Sequence, residues 1–203
     1  MMTDNFDKKA DGWDENPERH KRASDVASAI KASGLKPVSA LEFGCGTGLL
    51  TFALRPFADR TVLADTSSGM IDVLTKKINA AGASDLSARL ISEGADELAG
   101  ETFDTIYSLM TLHHINDIPG ILSLFNEHLT PGGTLFICDL EEEDGSFHGG
   151  GFSGHCGFNR ASLTAQLNAA GFTSVAFEVC HTIINEVDEH PTSFPLFLAT
   201  AKR

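Results

Sequence analysis

Residues 41–51, LEFGCGTGLLT, constrain the fold more than any other stretch. An apolar run leads into glycines at 44, 46 and 48, and a helical pattern through Leu49, Leu50, Phe52 and Leu54 leads out, stopping near Pro56. Glycine has no Cβ, so the backbone here can turn tightly and pass close to a ligand. The helix that begins near Gly48 brings free N–H groups to the same place. The next apolar run, TVLAD, ends at Asp65, where a carboxylate can accept both hydroxyls of a ribose. A glycine turn between strand and helix, with an acid closing the next strand, reads as an adenosine site at the carboxyl edge of a sheet. Leu49 stands where a dinucleotide fingerprint has its third glycine, so the spacing departs from that of a pyrophosphate binder. Glu42, just before the turn, is wrong for a diphosphate and suits a ligand carrying an ammonium group.

The remaining chain alternates between helical and strand patterns. Residues 22–33 have helical spacing (Val26, Ala27, Ile30) and close at Gly34, and residues 38–43 read as a short buried strand. Ser67 or Ser68 caps a helix carrying Met70, Ile71, Leu74 and Ile78, which Gly82 closes. SARLIS and FDTIYSLM are strands, a helix runs from about 118 to 129, Pro131-Gly132-Gly133 is a turn, and TLFICDL is a fifth strand. Asn159 caps a helix that ends at Gly171, and two strands, about 173–184 and 193–201, follow. Strands separated by helices imply right-handed crossovers and a parallel sheet. The last two strands have only a loop between them and should pair antiparallel.

Composition narrows the partners. The formal net charge of -13 disfavours phosphate backbones and anionic lipid headgroups, so neither nucleic acid nor membrane is expected as a partner. The cluster His20-Lys21-Arg22 reads as a solvated helix face. Cys45, Cys138, Cys156 and Cys180 form no Cys-x-x-Cys pair, which argues for reduced thiols in a cytoplasmic protein. The N-terminal stretch has no apolar run, so no signal peptide is expected, and no segment reads as membrane-spanning.

LEFGCGTG, LADTSSGMI, and FDTIYSLMTLHHI followed by LTPGGTLFICDL resemble, in order and spacing, the motifs of class I S-adenosylmethionine-dependent methyltransferases across about residues 38–140. The resemblance implies an α/β fold, a Rossmann-like three-layer sandwich whose mostly parallel seven-stranded sheet has an antiparallel last strand. It implies a single domain, with residues 1–35 a helical lid, 36–140 the cofactor core, and 141–203 the acceptor loop and C-terminal strands. Gly44 and Gly46, with Cys45 between them, would line the methionine part of S-adenosylmethionine, and Asp65 would bind the ribose. Thr66 and Met70 would flank the adenine. Gly94, Ala95 and Asp96 fall at the adenine edge; many relatives have Asp-Ala where this chain has Gly94-Ala95, which leaves Asp96 for the amino group. Leu109, Met110 and His114 would lie beside the cofactor. FDKKADGWDENP resembles an N-terminal lid, with Trp13 nearest the sulfonium. The product would be S-adenosylhomocysteine.

The acceptor site should lie above the fourth and fifth strands, among His113, His114, Asp139 and the Gly-rich loop 141–158. That loop is expected to be a mobile lid. Methyl transfer rests mainly on alignment, and a base helps only where the nucleophile carries a proton. His148 and His155 are the candidate bases. His148, His155, Cys156 and a carboxylate match no standard ligand spacing, so no metal is expected. The triple Glu at 141–143 reads as a solvated face. No Asn-Pro-Pro-aromatic motif follows the fourth strand, where Ser108-Leu-Met-Thr111 stands instead, and a small-molecule acceptor is expected. Two other readings share the motifs: a nicotinamide oxidoreductase and a non-catalytic S-adenosylmethionine-binding protein. The missing third glycine opposes the first, as does the lack of a Tyr-x-x-x-Lys pair, since Tyr107 is followed four residues on by Thr111. The titratable loop opposes the second.

Overall fold

The computed structural model describes residues 2–92 and 94–203. Its strands are β1 (Ser39–Phe43), β2 (Arg60–Asp65), β3 (Leu86–Leu90), β4 (Phe103–Leu109), β5 (Leu129–Leu140), β6 (Thr173–Val187) and β7 (His190–Lys202). They form one seven-stranded sheet in the order β3-β2-β1-β4-β5-β7-β6. β1 to β5 pair in parallel, whereas β7 runs antiparallel to β5 and to β6 on either side of it. The helices are α1 (Met2–Lys9), α2 (Pro17–Ala32), α3 (Leu49–Leu54), α4 (Ser68–Ala81), α5 (Ile118–His128) and α6 (Arg160–Ala169). This is the Rossmann-like sheet that the sequence implies, with its last strand reversed.

The two-residue period of a strand sorts the core onto two faces. Leu41 and Phe43 of β1 join a cluster with Phe125 of α5 and Leu163 of α6. Ala40 joins Val26 and Ile30 of α2 and Leu50 of α3. Leu63 of β2 meets Leu74 of α4. With both faces covered, β1 is buried along its whole length, as parallel sheets require. The chain steps outward from β1 to β2 and β3, then returns to place β4 on the other side of β1. That reversal opens a crevice at the carboxyl ends of β1 and β4, where the glycine turn and the end of β4 meet.

Four local expectations are corrected. α2 starts at Pro17, more than a turn before residue 22, because Asn16 accepts the Glu18 N–H at 2.9 Å and Pro17 fits the first turn. Its Arg22 turns inward, with a side chain only 12 % exposed and paired with Glu18 at 3.7 Å, so only the His20 and Lys21 part of that cluster faces solvent. Pro131-Gly132-Gly133 is a bulge within β5 rather than a turn. Pairing jumps from Phe103–Leu129 to Thr105–Thr134, and Gly132 takes a φ of +79°. β6 and β7 extend into a tight hairpin whose turn residues, Asp188 and Glu189, both have positive φ. The polar NEVDEHPT stretch hides that extension, because an edge hairpin has no apolar alternation to show.

All four cysteines are free, and the Cys138 and Cys180 sulfurs lie 3.4 Å apart. Among the described residues, no helix is long and apolar enough to cross a membrane.

Candidate active site

The three turn glycines serve different ends. All have positive φ: +70° at Gly44, +52° at Gly46 and +81° at Gly48. A Cβ on Gly44 would lie 2.2 Å from Thr111, and one on Gly48 would lie 2.7 Å from Leu74. Those two positions are therefore held bare by protein packing. A Cβ on Gly46 would meet nothing nearer than Met70 Sδ at 3.9 Å and Trp13 Nε1 at 4.0 Å. Gly46 alone of the three faces a cradle that a side chain would fill. Cys45 is buried beneath the turn, and its N–H donates to the Ala64 carbonyl.

Asp65 closes one wall of this cradle. Its carboxylate accepts the Gly46 N–H at 2.7 Å and the Ser67 N–H at 2.9 Å. Burial raises its pKa, and these backbone donors oppose the rise. Each oxygen has a second lone pair free for a ribose hydroxyl. Glu42 lies under the turn, 2 % exposed, and accepts from Thr51 Oγ1 at 2.5 Å and Thr51 N–H at 3.2 Å. Burial pushes its carboxyl up to about 8; the Thr51 bonds pull the other way, and the nearby Asp65 charge adds to the rise.

The N-terminal segment covers the cradle through polar contacts. Asp7 of α1 accepts from Ser67 Oγ at 2.5 Å and Gly69 N–H at 2.9 Å, which seats it on the N-terminus of α4. Asp14 accepts from Thr47 Oγ1 at 2.5 Å and pairs with Lys77 at 2.6 Å, and Lys77 also donates to the Thr47 carbonyl. Trp13 follows from that anchoring, with the Arg19 guanidinium 3.7 Å from its ring centre. Sequence reasoning missed Asp7, Asp14, Thr47 and Lys77. The two acids sit in a polar segment without apolar periodicity, and their partners lie about 30 or more residues away. Thr66 is exposed beside Asp65, and Ala95 is buried with a φ of +53°. The side chain of Asp96 lies outside the described residues.

Across the crevice, β4 ends in a strained turn. Met110 has a φ of +54°, unusual for a residue with a side chain, and its N–H donates to the Cys138 carbonyl at 2.8 Å. This reversal swings Thr111 over Gly44, where its hydroxyl donates to the Gly44 carbonyl at 3.2 Å. Leu109 and Met110 are half-buried against the face formed with α2 and α3. A 3₁₀ turn over Leu112–His114 then sets His113 and His114 above the end of β5. His113 is buried, with Nδ1 2.6 Å from Asp139 Oδ1, and its backbone N–H donates to Asp139 Oδ2 at 3.2 Å.

His114 lies with its ring centre 4.1 Å from that of His113, and its buried Nδ1 has no hydrogen-bond partner. His148 reaches in from the loop, 5.1 Å from His113 and 5.6 Å from His114, stacked on Phe152 at 3.8 Å. Phe6 of α1 bridges the two halves, 5.2 Å from His114 and 5.9 Å from Trp13. Burial pushes His114 down to about 3, with the charges of His113 and His148 acting the same way. Partial burial, then the His113 charge, also lowers His148.

His155 does not join this group. Its ring Nε2 lies 2.9 Å from the Ile115 carbonyl, to which only an N–H can bond, and its backbone N–H donates to the His113 carbonyl. These two contacts staple the loop onto the 3₁₀ turn. The triple Glu is also not a plain solvated face. Glu141 pairs with Arg160, and the Glu143 carboxylate accepts the N–H groups of Gly145 and Phe147.

The reversed last strand, the glycine turn under an open cradle and the acid ending β2 together define a Rossmann-like, S-adenosylmethionine-dependent methyltransferase of class I. The chain belongs to that family: the methyltransferase domain matches residues 15–176. It is 32% identical over 156 residues to an uncharacterized methyltransferase of Schizosaccharomyces pombe, covering 69% of this chain and 54% of the relative. It is 30% identical over 116 residues to the ubiquinone biosynthesis O-methyltransferase of Rhizobium johnstonii, covering 57% and 45% respectively. The chain thus spans about half the length of the curated relatives it matches. The fold is shared with N-methyltransferase NodS from Bradyrhizobium japonicum, solved with S-adenosyl-L-homocysteine. The TM-score is 0.69 and the identity 21%, over 94% of this chain and 89% of that one. Membership of this family sets aside the nicotinamide oxidoreductase reading.

Proposed function

We propose that this chain transfers the methyl group of S-adenosylmethionine to a small-molecule acceptor bound between the ends of β4 and β5 and the loop 141–158. The observation that carries the reading is the cradle at Gly46, bounded by Met70 and Trp13, with Asp65 on its wall. S-adenosylmethionine supplies a methyl already activated by a sulfonium. The protein's task is then to hold donor and acceptor in line and keep water out. Asp65 accepts the ribose hydroxyls, Gly46 makes room for the amino-acid part, and the ammonium of that part would favour the ionised form of Glu42 beneath the turn. Met70, Thr66, Ala95 and Asp96 line the adenine.

Residues 1–35 act as a helical lid over a core of residues 36–140, and residues 141–203 carry the mobile acceptor loop and the closing strands. His148, and not His155, is the acceptor-side imidazole. The relatives named for O- and N-methylation support a small acceptor. The net charge of -13 disfavours a nucleic acid, and the four free cysteines fit a cytoplasmic protein. The test is transfer of labelled methyl from S-adenosylmethionine into a metabolite extract. A labelled small-molecule product is expected; cofactor binding with no label transferred to any fraction would make the chain a non-catalytic binder.

A further inference from the structure

Sequence spacing assigns no metal ligands, yet the fold assembles a set that spacing hides. His113, His114 and His148 each present a ring nitrogen within 4.8 Å of the other two. We propose that these three imidazoles bind a divalent transition-metal ion such as zinc, with Asp139 as the outer carboxylate that orients His113. The inference rests on the reading of His148 as the acceptor-side residue, and it states how that residue acts: as a ligand.

Three observations carry it. First, His113 Nδ1 lies 2.6 Å from Asp139 Oδ1, and in the tautomer that donates through Nδ1 the Nε2 lone pair is free for a metal. Asp139 is fully buried, and its second oxygen is fixed by the His113 backbone N–H. A carboxylate behind a histidine is the usual way to fix the tautomer and orientation of a metal-binding ring. Second, the Nδ1 of His114 is buried and has no hydrogen-bond partner. Buried polar nitrogens are nearly always paired, and a metal ion would give this one a partner. Third, the set can close.

Ligand nitrogens around tetrahedral zinc stand about 3.3 Å apart. The present spacing, within 4.8 Å, therefore calls for a contraction of at most about 1.5 Å. His148 is followed by Gly149, Gly150 and Gly151, each with open space beyond its α-carbon, so this ligand can move toward the other two. Asp139 and Glu143 supply negative charge toward the cluster, and Lys9 supplies opposing positive charge. Three imidazoles leave at least one coordination position for water or an acceptor atom.

The test uses untagged, chelator-treated protein titrated with zinc by calorimetry and with cobalt(II) followed by its visible d–d absorption. One ion per chain is expected, with cobalt bands typical of a nitrogen-rich site. His148→Ala should weaken zinc binding by about 100-fold and remove those bands, and Asp139→Asn should weaken it by about 10–100-fold. His148 lies in a loop, so its variant should keep the wild-type melting temperature. Titration with S-adenosylhomocysteine on the same samples separates the two readings. Cofactor binding without metal uptake overturns the metal site and leaves the methyltransferase reading standing; metal uptake without cofactor binding does the reverse. Equal zinc affinity in wild type and His148→Ala overturns the proposal, and the three rings are then aromatic packing around Phe152.

Discussion

The two sides of the crevice are built by different means. On the β1–β2 side, the space is shaped by backbone: the bare α-carbon of Gly46, two N–H groups on Asp65, and a turn held by Thr111 and Leu74 against its neighbouring glycines. On the β4–β5 side it is shaped by side chains from four separate segments. His113 and His114 follow β4, Asp139 ends β5, His148 and Phe152 come from the loop, and Phe6 comes from α1. A backbone-built site is tied to the sheet and suits a ligand that does not change. A side-chain site on loops can be rebuilt for another acceptor without disturbing the core.

The contrast can be broken by variants on either side. The largest effect is expected from Glu42. Its folded carboxyl, at about 8, lies above the ordinary value of 4.5, so between those values the folded state holds a proton that the unfolded state has released. Its contribution to stability is full below pH 4.5 and is lost as pH rises toward 8. Relative to Glu42→Gln, the wild type should lose on the order of 3 kcal/mol from pH 5 to pH 8. Parallel melting curves for the two proteins across that range would contradict the buried, protonated state.

Next in size is the acceptor side. His148→Ala should lower turnover by about 100-fold with S-adenosylhomocysteine affinity nearly unchanged, whereas His155→Ala, which removes a loop staple, should cost only a few-fold. Equal turnover in both variants would erase the distinction drawn between them. Smaller again, Asp65→Ala should weaken S-adenosylhomocysteine by about 1–3 kcal/mol in calorimetry, because two charge-assisted hydrogen bonds to the ribose are lost. A loss of turnover without a loss of affinity would move Asp65 from the cofactor side to the acceptor side.

What the sequence reveals follows the same division. The strand–glycine–helix unit, Asp65 and the cap at Ser67 are local, so spacing alone places them. The parallel core of the sheet follows from the alternation of elements, and the antiparallel pairing of β6 with β7 from the short loop between them. The acceptor side is illegible for a physical reason: His113 and His148 are 35 positions apart, and the turn after β4 and the loop after β5 bring them together. The same holds for Asp7 and Asp14, whose partners lie on α4 and in the glycine turn. His155 and His148 look alike in sequence, because a histidine in a glycine-rich loop reads the same whether it joins a ring cluster or meets a carbonyl.

The central claim is that the cradle at Gly46 holds the cofactor, and calorimetric titration of S-adenosylhomocysteine into wild type and Gly46→Asn tests it most directly. Asparagine tolerates the left-handed backbone found at φ +52° and adds a side chain where the cradle is open. The wild type should bind one equivalent, and Gly46→Asn should bind at least about 30-fold more weakly, a loss of about 2 kcal/mol, at an unchanged melting temperature. A folded Gly46→Asn protein that binds as tightly as wild type, or a wild type that does not bind at all, would contradict it.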